Sequence, residues 1–303
     1  MDQVRVGLVG LGVIARTHLE VLAERPDVAL EFTAAPEGEP LAGVAHHRDL
    51  AAALASHEPD LIVIATPTDT HAELAELALT RSGARLLVEK PLVHDLALLE
   101  RLRALAPERV FTAHHFAFSP EVRWAAEQLR RHPEWGPVTR ITSAFHDPYA
   151  VLGERAFASY ASSWTDSGVN QLSMIARFVE LEALTSLRED DGGATSWGTA
   201  RYRSRGRTGT ARLRTSWLAG SSSKETVLVL AESGVELWLD HTALTGFAAR
   251  EGELLATCDT DGRTPRKIAH YRPLYDSLLS AAPDPVLGFE LTERITAVHR
   301  ARP

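Results

Sequence analysis

The chain has 303 residues, 45% of them hydrophobic, with a formal net charge of -8; this is enough apolar material for two buried cores, and the overall sign disfavours a polyanionic partner such as a nucleic acid. Its single cysteine, Cys258, excludes an intramolecular disulfide and a cysteine-built zinc site. The start "MDQVRVGLVG" lacks the three regions of a signal peptide and no apolar run is long enough to span a bilayer, so the expectation is a cytoplasmic protein with no membrane and no nucleic-acid partner.

In chain order, short apolar runs "VRVGLVG", "ALEFTAA", "DLIVIAT", "ARLLVE" and "RVFTAHH" alternate with helix-like stretches "IARTHLEVLAE", "RDLAAALASH", "THAELAELAL" and "ALLERLRALA". This βαβ punctuation predicts a doubly wound parallel sheet with helices on both faces, an α/β fold. His46 and His47 fall in a loop and lack metal-ligand spacing, so no metal is assigned. From about Ser119 the rhythm changes: a helix "SPEVRWAAEQLRR", a strand around "VTRITSAFH", a helix from about Ser167 to Phe178, then strands to about Leu239. A mainly antiparallel α+β domain follows from this, with the division at residues 1–118 and 119–303. The basic stretch "RYRSRGRTGTARLRTSW" alternates with Tyr202, Thr208, Thr210, Leu213 and Trp217, as solvated strand faces do. The segments "HYRPLYDSLLSA" and "LGFELTERITAVHR" close the chain as helices.

Three junctions carry chemistry. "GLGVIA" has GxGxxA spacing between a strand and a helix: Gly10 permits the tight turn, Gly12 the close approach of a pyrophosphate, Ala15 the packing of the helix, with Val13 and Ile14 in its first turn. After the second strand, "TAAPEGEP" offers Glu37 as a ribose partner, or as a solvated turn residue, and no Arg or Lys lies between Arg25 and Arg48. NAD is favoured over NADP on that ground. "ATPTDTH" ends the next strand, placing Thr66 and Pro67 at the cofactor cleft, with Thr70 a candidate N-cap and His71 opening the helix. In "LLVEKP" the strand after that ends on Glu89 and Lys90, at the carboxyl edge where ligands bind in such sheets. Lys90 is one of only three lysines in the chain, with Lys224 and Lys267.

With "VGLVGLGVIARTHL", "ATPTDTHAELA" and "EKP" in this order, the sequence resembles the Gfo/Idh/MocA oxidoreductase family across nearly its whole length. The resemblance implies an N-terminal Rossmann domain, a C-terminal domain with a large open sheet, a nicotinamide cofactor (NAD or NADP), and a dehydrogenase or reductase moving hydride at a carbon of a sugar or polyol. It also implies that Lys90 lies beside nicotinamide and substrate, and that the chain pairs into a homodimer or homotetramer.

"WTDSGVNQLSM" places Asp166 and Asn170 one helical turn apart. Many family members carry Asp-x-x-x-His there and use the histidine as base; this chain has Asn170, which cannot take up a proton. The pattern is similar to that of the aldose 1-dehydrogenase branch, the L-arabinose and D-galactose dehydrogenases. By that likeness His115 in "AHHF", His146 in "AFHDPYA" and Trp217 are substrate-binding candidates beside Lys90, Asp166 and Asn170. His146 stands where that branch has a glutamate, and His114 and His115 would alternate on a strand. Asp166 could instead cap its helix and Trp217 could be core. The implied reaction is aldose oxidation at C1 to a lactone. A keto-sugar reductase and a non-catalytic dinucleotide-binding regulator are the alternatives.

Overall fold

In the computed structural model, residues 3–38, 40–152, 161–260 and 262–301 are described. Contacts divide the chain into two units, Met1–His114 with Tyr271–Thr296, and His115–His270 with Ala297–Pro303. The sequence-based division at 118/119 differs from this in one respect that matters: a C-terminal segment returns to the first unit.

In the first unit, strands β1 (Val4–Val9), β2 (Val28–Ala34), β3 (Ala45–His47), β4 (Leu61–Ile64), β5 (Arg85–Val88) and β6 (Val110–Thr112) form an all-parallel sheet of order β3-β2-β1-β4-β5-β6. Helices α1 (Val13–Ala23), α2 (Leu50–Leu54), α3 (His71–Arg81) and α4 (Leu96–Arg103) connect them, the Rossmann arrangement predicted from the alternation. The central strands are apolar throughout and buried, as strands covered on both faces must be. Gly7 in β1 is required by packing: a Cβ there would lie 2.1 Å from Cζ of Phe32. Strand β3 is a correction. His46 and His47, expected in a loop, pair with Thr33 and Ala34 of β2, and their rings meet Thr33 Oγ1 at 3.0 Å and His57 Nε2 at 3.1 Å.

The second unit opens with α5 (Pro120–Arg131) and contains the strands β7 (Arg140–His146), β8 (Glu180–Asp190), β9 (Thr195–Ser204), β10 (Arg207–Ser216), β11 (Ser223–Leu230), β12 (Val235–Asp240), β13 (Thr245–Arg250) and β14 (Glu253–Cys258). They form one sheet of order β14-β13-β12-β11-β7-β10-β9-β8, antiparallel except for the β7–β10 pair. The hairpin β13–β14 lies beyond Leu239, where the strand-rich stretch was expected to end. The basic stretch is the β9–β10 hairpin: Tyr202, Leu213 and Trp217 are buried, while Thr208 and Thr210 join the arginines on the exposed face.

A turn of π-helix, Trp164–Gly168, runs into α6 (Val169–Ile175). Gln171 Nε2 donates to Ser143 Oγ at 3.1 Å and to the Arg214 carbonyl at 3.1 Å, so this segment packs on the sheet face that carries Ser143. Helices α7 (Arg266–Leu278) and α8 (Phe289–Arg300) close the chain, each beginning in one unit and ending in the other.

Candidate functional site

The glycine turn ends β1. Gly10 has φ +92°, and a Cβ there would meet the Ala65 carbonyl oxygen at 2.7 Å, so turn and β4 loop approach as only glycine allows. A Cβ on Gly12 would meet nothing within 4 Å. Gly12 is the N-cap of α1 and supplies no side-chain cap, and Val13 beside it is 81% exposed, unusual for a valine. Open space before an uncapped helix N-terminus fits a pyrophosphate, and Ala15 is buried as close helix packing requires. Thr66 lines the same turn, its Cγ2 2.9 Å from the Cβ position of Gly10. The turn carrying Glu37 and Gly38 lies against Leu11, 2.8 Å from the Gly38 Cβ position. The structure thus gathers Gly10 to Ala15, the Glu37 turn and Thr66 to Pro67 at the carboxyl edge of one sheet.

Two details of this edge differ from expectation. Thr70 caps no helix through its side chain: it ends a 3-10 turn and donates to Thr66 Oγ1 at 2.7 Å and the Pro67 carbonyl at 2.8 Å. His71 is buried with Nε2 2.9 Å from the Thr66 carbonyl and Nδ1 3.0 Å from the Pro91 carbonyl. Its ring is engaged by backbone, so it braces the Thr66 loop against the loop following Lys90 instead of reaching a ligand.

Glu89 and Lys90 leave β5. Glu89 is buried and its Oε1 accepts from Tyr271 Oη at 2.5 Å and from His18 Nε2 at 3.0 Å, while Oε2 accepts the Lys90 backbone N–H at 3.3 Å. Burial opposes the ionisation of Glu89, but the hydrogen bond and attraction of His18, the Tyr271 hydroxyl and the charge of Lys90 outweigh it and hold the carboxyl below its ordinary range. Tyr275 Oη lies 2.7 Å from His18 Nδ1. Burial, then the Glu89 charge, push this hydroxyl far above its usual range, so it stays protonated. His114, beside Glu89 and Lys90, is pushed down to about 3 by burial and is neutral.

In the second unit, Asp166 and Asn170 are both buried, and Asn170 Nδ2 reaches the Asp166 carbonyl at 3.4 Å, one turn back as the spacing predicts. Asp166 lies inside the π-turn and is not an N-cap; such turns concentrate at functional sites. His115 is not on a strand: β6 ends at Thr112, and His115 begins a 3-10 turn with its Nδ1 3.0 Å from His270 Nδ1. His146 does not join Asp166. Alternation along β7 puts it on the face of Arg140 and Thr142, opposite Ser143 and Phe145. Burial, then Arg214, lower its pKa, so the ring is neutral. Trp217 is fully buried against Tyr149 at a ring separation of 5.8 Å, a core position and not an open platform.

Sequence reasoning passed over Lys224. It pairs in register with Phe145, is buried, and forms an ion pair with Asp147 while donating to Ser222 Oγ at 3.2 Å and the His146 carbonyl at 3.4 Å. Burial lowers its pKa although Asp147 and Asp166 oppose this. Its rarity among the basic residues was the available sign.

Residues 4–114 match the family model GFO_IDH_MocA, "Oxidoreductase family, NAD-binding Rossmann fold". Inositol 2-dehydrogenase of Rhizobium meliloti is 39% identical over 106 residues, 33% of this chain and 31% of that protein. Galactose 1-dehydrogenase of Pseudomonas fluorescens is 28% identical over 189 residues, 60% of this chain and 59% of that one. The chain therefore spans between about a third and three fifths of the curated relatives it matches. A myo-inositol dehydrogenase structure from Corynebacterium glutamicum superposes with a TM-score of 0.77 at 18% identity, covering 99% of this chain and 95% of that one, and shares its fold. Among the described residues, no helix is long and apolar enough to cross a membrane. Residues 4–114, with their glycine turn and Glu89–Lys90 strand end, are thus similar to the NAD-binding Rossmann fold of the Gfo/Idh/MocA oxidoreductase family.

Proposed function

We propose that this protein is a nicotinamide-dependent oxidoreductase acting on a sugar or polyol, and that its reaction is the oxidation of an aldose at C1 to a lactone. The observation that carries the reading is the open, uncapped turn at Gly12 on the same sheet edge as Lys90. The backbone of Gly10 to Ala15 would hold the pyrophosphate, Thr66 and Pro67 would border the dinucleotide, and Glu37 would meet the adenosine ribose. With no cation between Arg25 and Arg48, a 2′-phosphate is disfavoured. Nicotinamide, when bound, accepts or supplies the hydride.

The protein's own part is to orient the sugar and move one proton. Asn170 offers hydrogen bonds but no titratable proton, which leaves Lys90 at Nζ, or the Asp166 carboxylate, as the carrier. An anomeric hydroxyl is more acidic than an ordinary secondary alcohol, because the ring oxygen withdraws electrons, so a weaker base suffices. Loss of the histidine and a C1 substrate support one another. A second reading, reduction of a keto-sugar, is favoured by the Glu89 carboxylate: its negative charge beside Lys90 stabilises the ammonium, which would donate to a developing alkoxide. We also propose that the chain pairs through its large sheet, where Trp238 and Phe247 are 41% and 40% exposed and stack at 6.0 Å.

Absorbance of reduced nicotinamide during a screen of aldoses, inositols and keto-sugars, with NAD and NADP in both directions, tests the reading. NADH formation with an aldose is the expected result. Binding of cofactor without turnover of any member of the panel would overturn it.

A further inference from the structure

The first unit contains a buried polar assembly that the hydride reaction does not by itself explain. Its parts come from three distant stretches: His18 from α1, Glu89 from the end of β5, and Tyr271 and Tyr275 from α7. His18 and Tyr275 are completely buried. Tyr275 and Tyr271 lie one helical turn apart, one at each end of the His18–Glu89 pair, and the His18 ring meets both edge-on at 4.9 Å and 5.8 Å. Burying a carboxylate, an imidazole and two phenols is costly unless each is hydrogen-bonded, and here each is. The apolar alternative would have packed as well, so this arrangement calls for a reason beyond packing.

The reason lies in what Glu89 faces. Of its two oxygens, Oε1 is fully occupied by donors from His18 and Tyr271, while Oε2 is turned to the Lys90 backbone N–H, and the carboxylate and the Lys90 ammonium attract one another. Resting on the role assigned above to Lys90, we propose that Glu89 is the fixed counter-charge of Lys90, and that His18, Tyr271 and Tyr275 are positioning residues that hold this carboxylate ionised and in place. Tyr275 donates to Nδ1 of a neutral His18, or accepts from a protonated one; in either state Nε2–H points at Glu89. The other titratable groups around the assembly are His114 beyond β6, neutral through burial, and Arg25 at the end of α1, which acts on Tyr275. His71 fixes the following turn through the Pro91 carbonyl. Neither His114 nor Arg25 carries a negative charge, and Glu89, whose carboxylate attracts the Lys90 ammonium, raises the affinity of Lys90 for its proton.

Lysine scarcity gives a direct test that needs neither substrate nor cofactor. With only Lys90, Lys224 and Lys267 in the chain, reductive 13C-methylation yields three lysine signals by NMR, the Lys90 signal being assigned by its loss in Lys90→Arg. In Glu89→Gln the pKa read at Lys90 should fall by about one unit or more relative to wild type, with the Lys224 and Lys267 signals unmoved; an unchanged Lys90 value refutes the counter-charge. Tyr271→Phe keeps the ring and removes one donor, so the weaker, low-pH inflection that Glu89 imprints on the Lys90 signal should move upward by about one unit while the main Lys90 titration stays in place. An inflection that does not move refutes the positioning role, and because this variant retains the carboxylate it serves if Glu89→Gln does not fold. The outcomes separate from those of the proposed reaction: a shifted Lys90 pKa together with full activity of Lys90→Met would sustain the counter-charge and discard Lys90 as the proton carrier.

Discussion

His18 Nε2 lies 3.0 Å from Glu89 Oε1 with the histidine completely buried, which makes the acid preceding Lys90 one end of a hydrogen-bonded chain that finishes at Tyr275. Because the carboxyl of Glu89 is held below its ordinary value of 4.5 in the folded state, its contribution to stability is present above that value and is lost as pH falls through the lower, folded one. Urea midpoints measured from about pH 6 down to about pH 3 should therefore fall more steeply for wild type than for Glu89→Gln. Parallel curves would show that Glu89 contributes no acid-dependent stability.

Replacing Lys90 by methionine preserves most of the stem volume and removes the first of the two proposed proton carriers. The turnover rate should drop by roughly 10²–10⁴-fold with little change in NADH affinity. Asn170→Ala removes a hydrogen-bonding group only, for an expected loss of about 1–3 kcal/mol in kcat/KM. A pH limb owed to Lys90 should disappear in the first variant and persist in the second. If Lys90→Met stays active and Asp166→Asn does not, Asp166 is the base.

The two glycines of the turn should separate fold from binding. Gly10→Ala forces a side chain onto φ +92° and against the Ala65 carbonyl, so it should cost about 1–3 kcal/mol and lower Tm by several degrees. Gly12 has an ordinary φ of -73° and open space around its Cβ position. Gly12→Ala should leave Tm unchanged and weaken NADH binding by roughly tenfold or more, since the methyl would enter the space proposed for the pyrophosphate. Fluorescence titration and thermal melts read both, and equal Tm losses would contradict the assignment of Gly12 to the pyrophosphate.

Assembly is read by light scattering. At micromolar concentration we expect a dimer or tetramer, and Trp238→Glu should shift it toward monomer, because a buried charge replaces half of the Trp238–Phe247 stack. A monomeric wild type refutes pairing through this sheet.

The Rossmann sheet was legible because its strands and helices repeat with clear periods, and because Gly10, Gly12 and Ala15 occupy spacing that sterics impose. Strand β3 escaped notice: three residues, Ala45–His47, are too few to display alternation. The hairpin β13–β14 was missed because "TGFAAR" and "ELLATC" have short, partly exposed patterns. At the candidate site, Lys90 stands out in the sequence by its place at a strand end and Asp166 and Asn170 by their spacing, each a local feature. For His146 and Trp217, resemblance supplied the expected roles while strand parity and burial set their places. His18 and Tyr271 could not be foreseen, being separated from Glu89 by 71 and 182 positions in the chain; proximity across such distances is a property of the fold.

That Tyr271–Thr296 belongs to the first unit has a consequence for how the molecule is made. While the chain is being synthesised, the segment up to His114 emerges early but lacks the phenol that donates to Glu89 and the Thr292 hydroxyl that meets His114 Nε2 at 3.1 Å. The nucleotide-binding half therefore waits on the ribosome, unfinished, until the whole second unit has been translated. A gene fragment cut at the apparent boundary would encode a Rossmann sheet whose interior carboxylate keeps His18 but has lost its phenol donor, so exchange of this half between relatives requires two crossovers, not one.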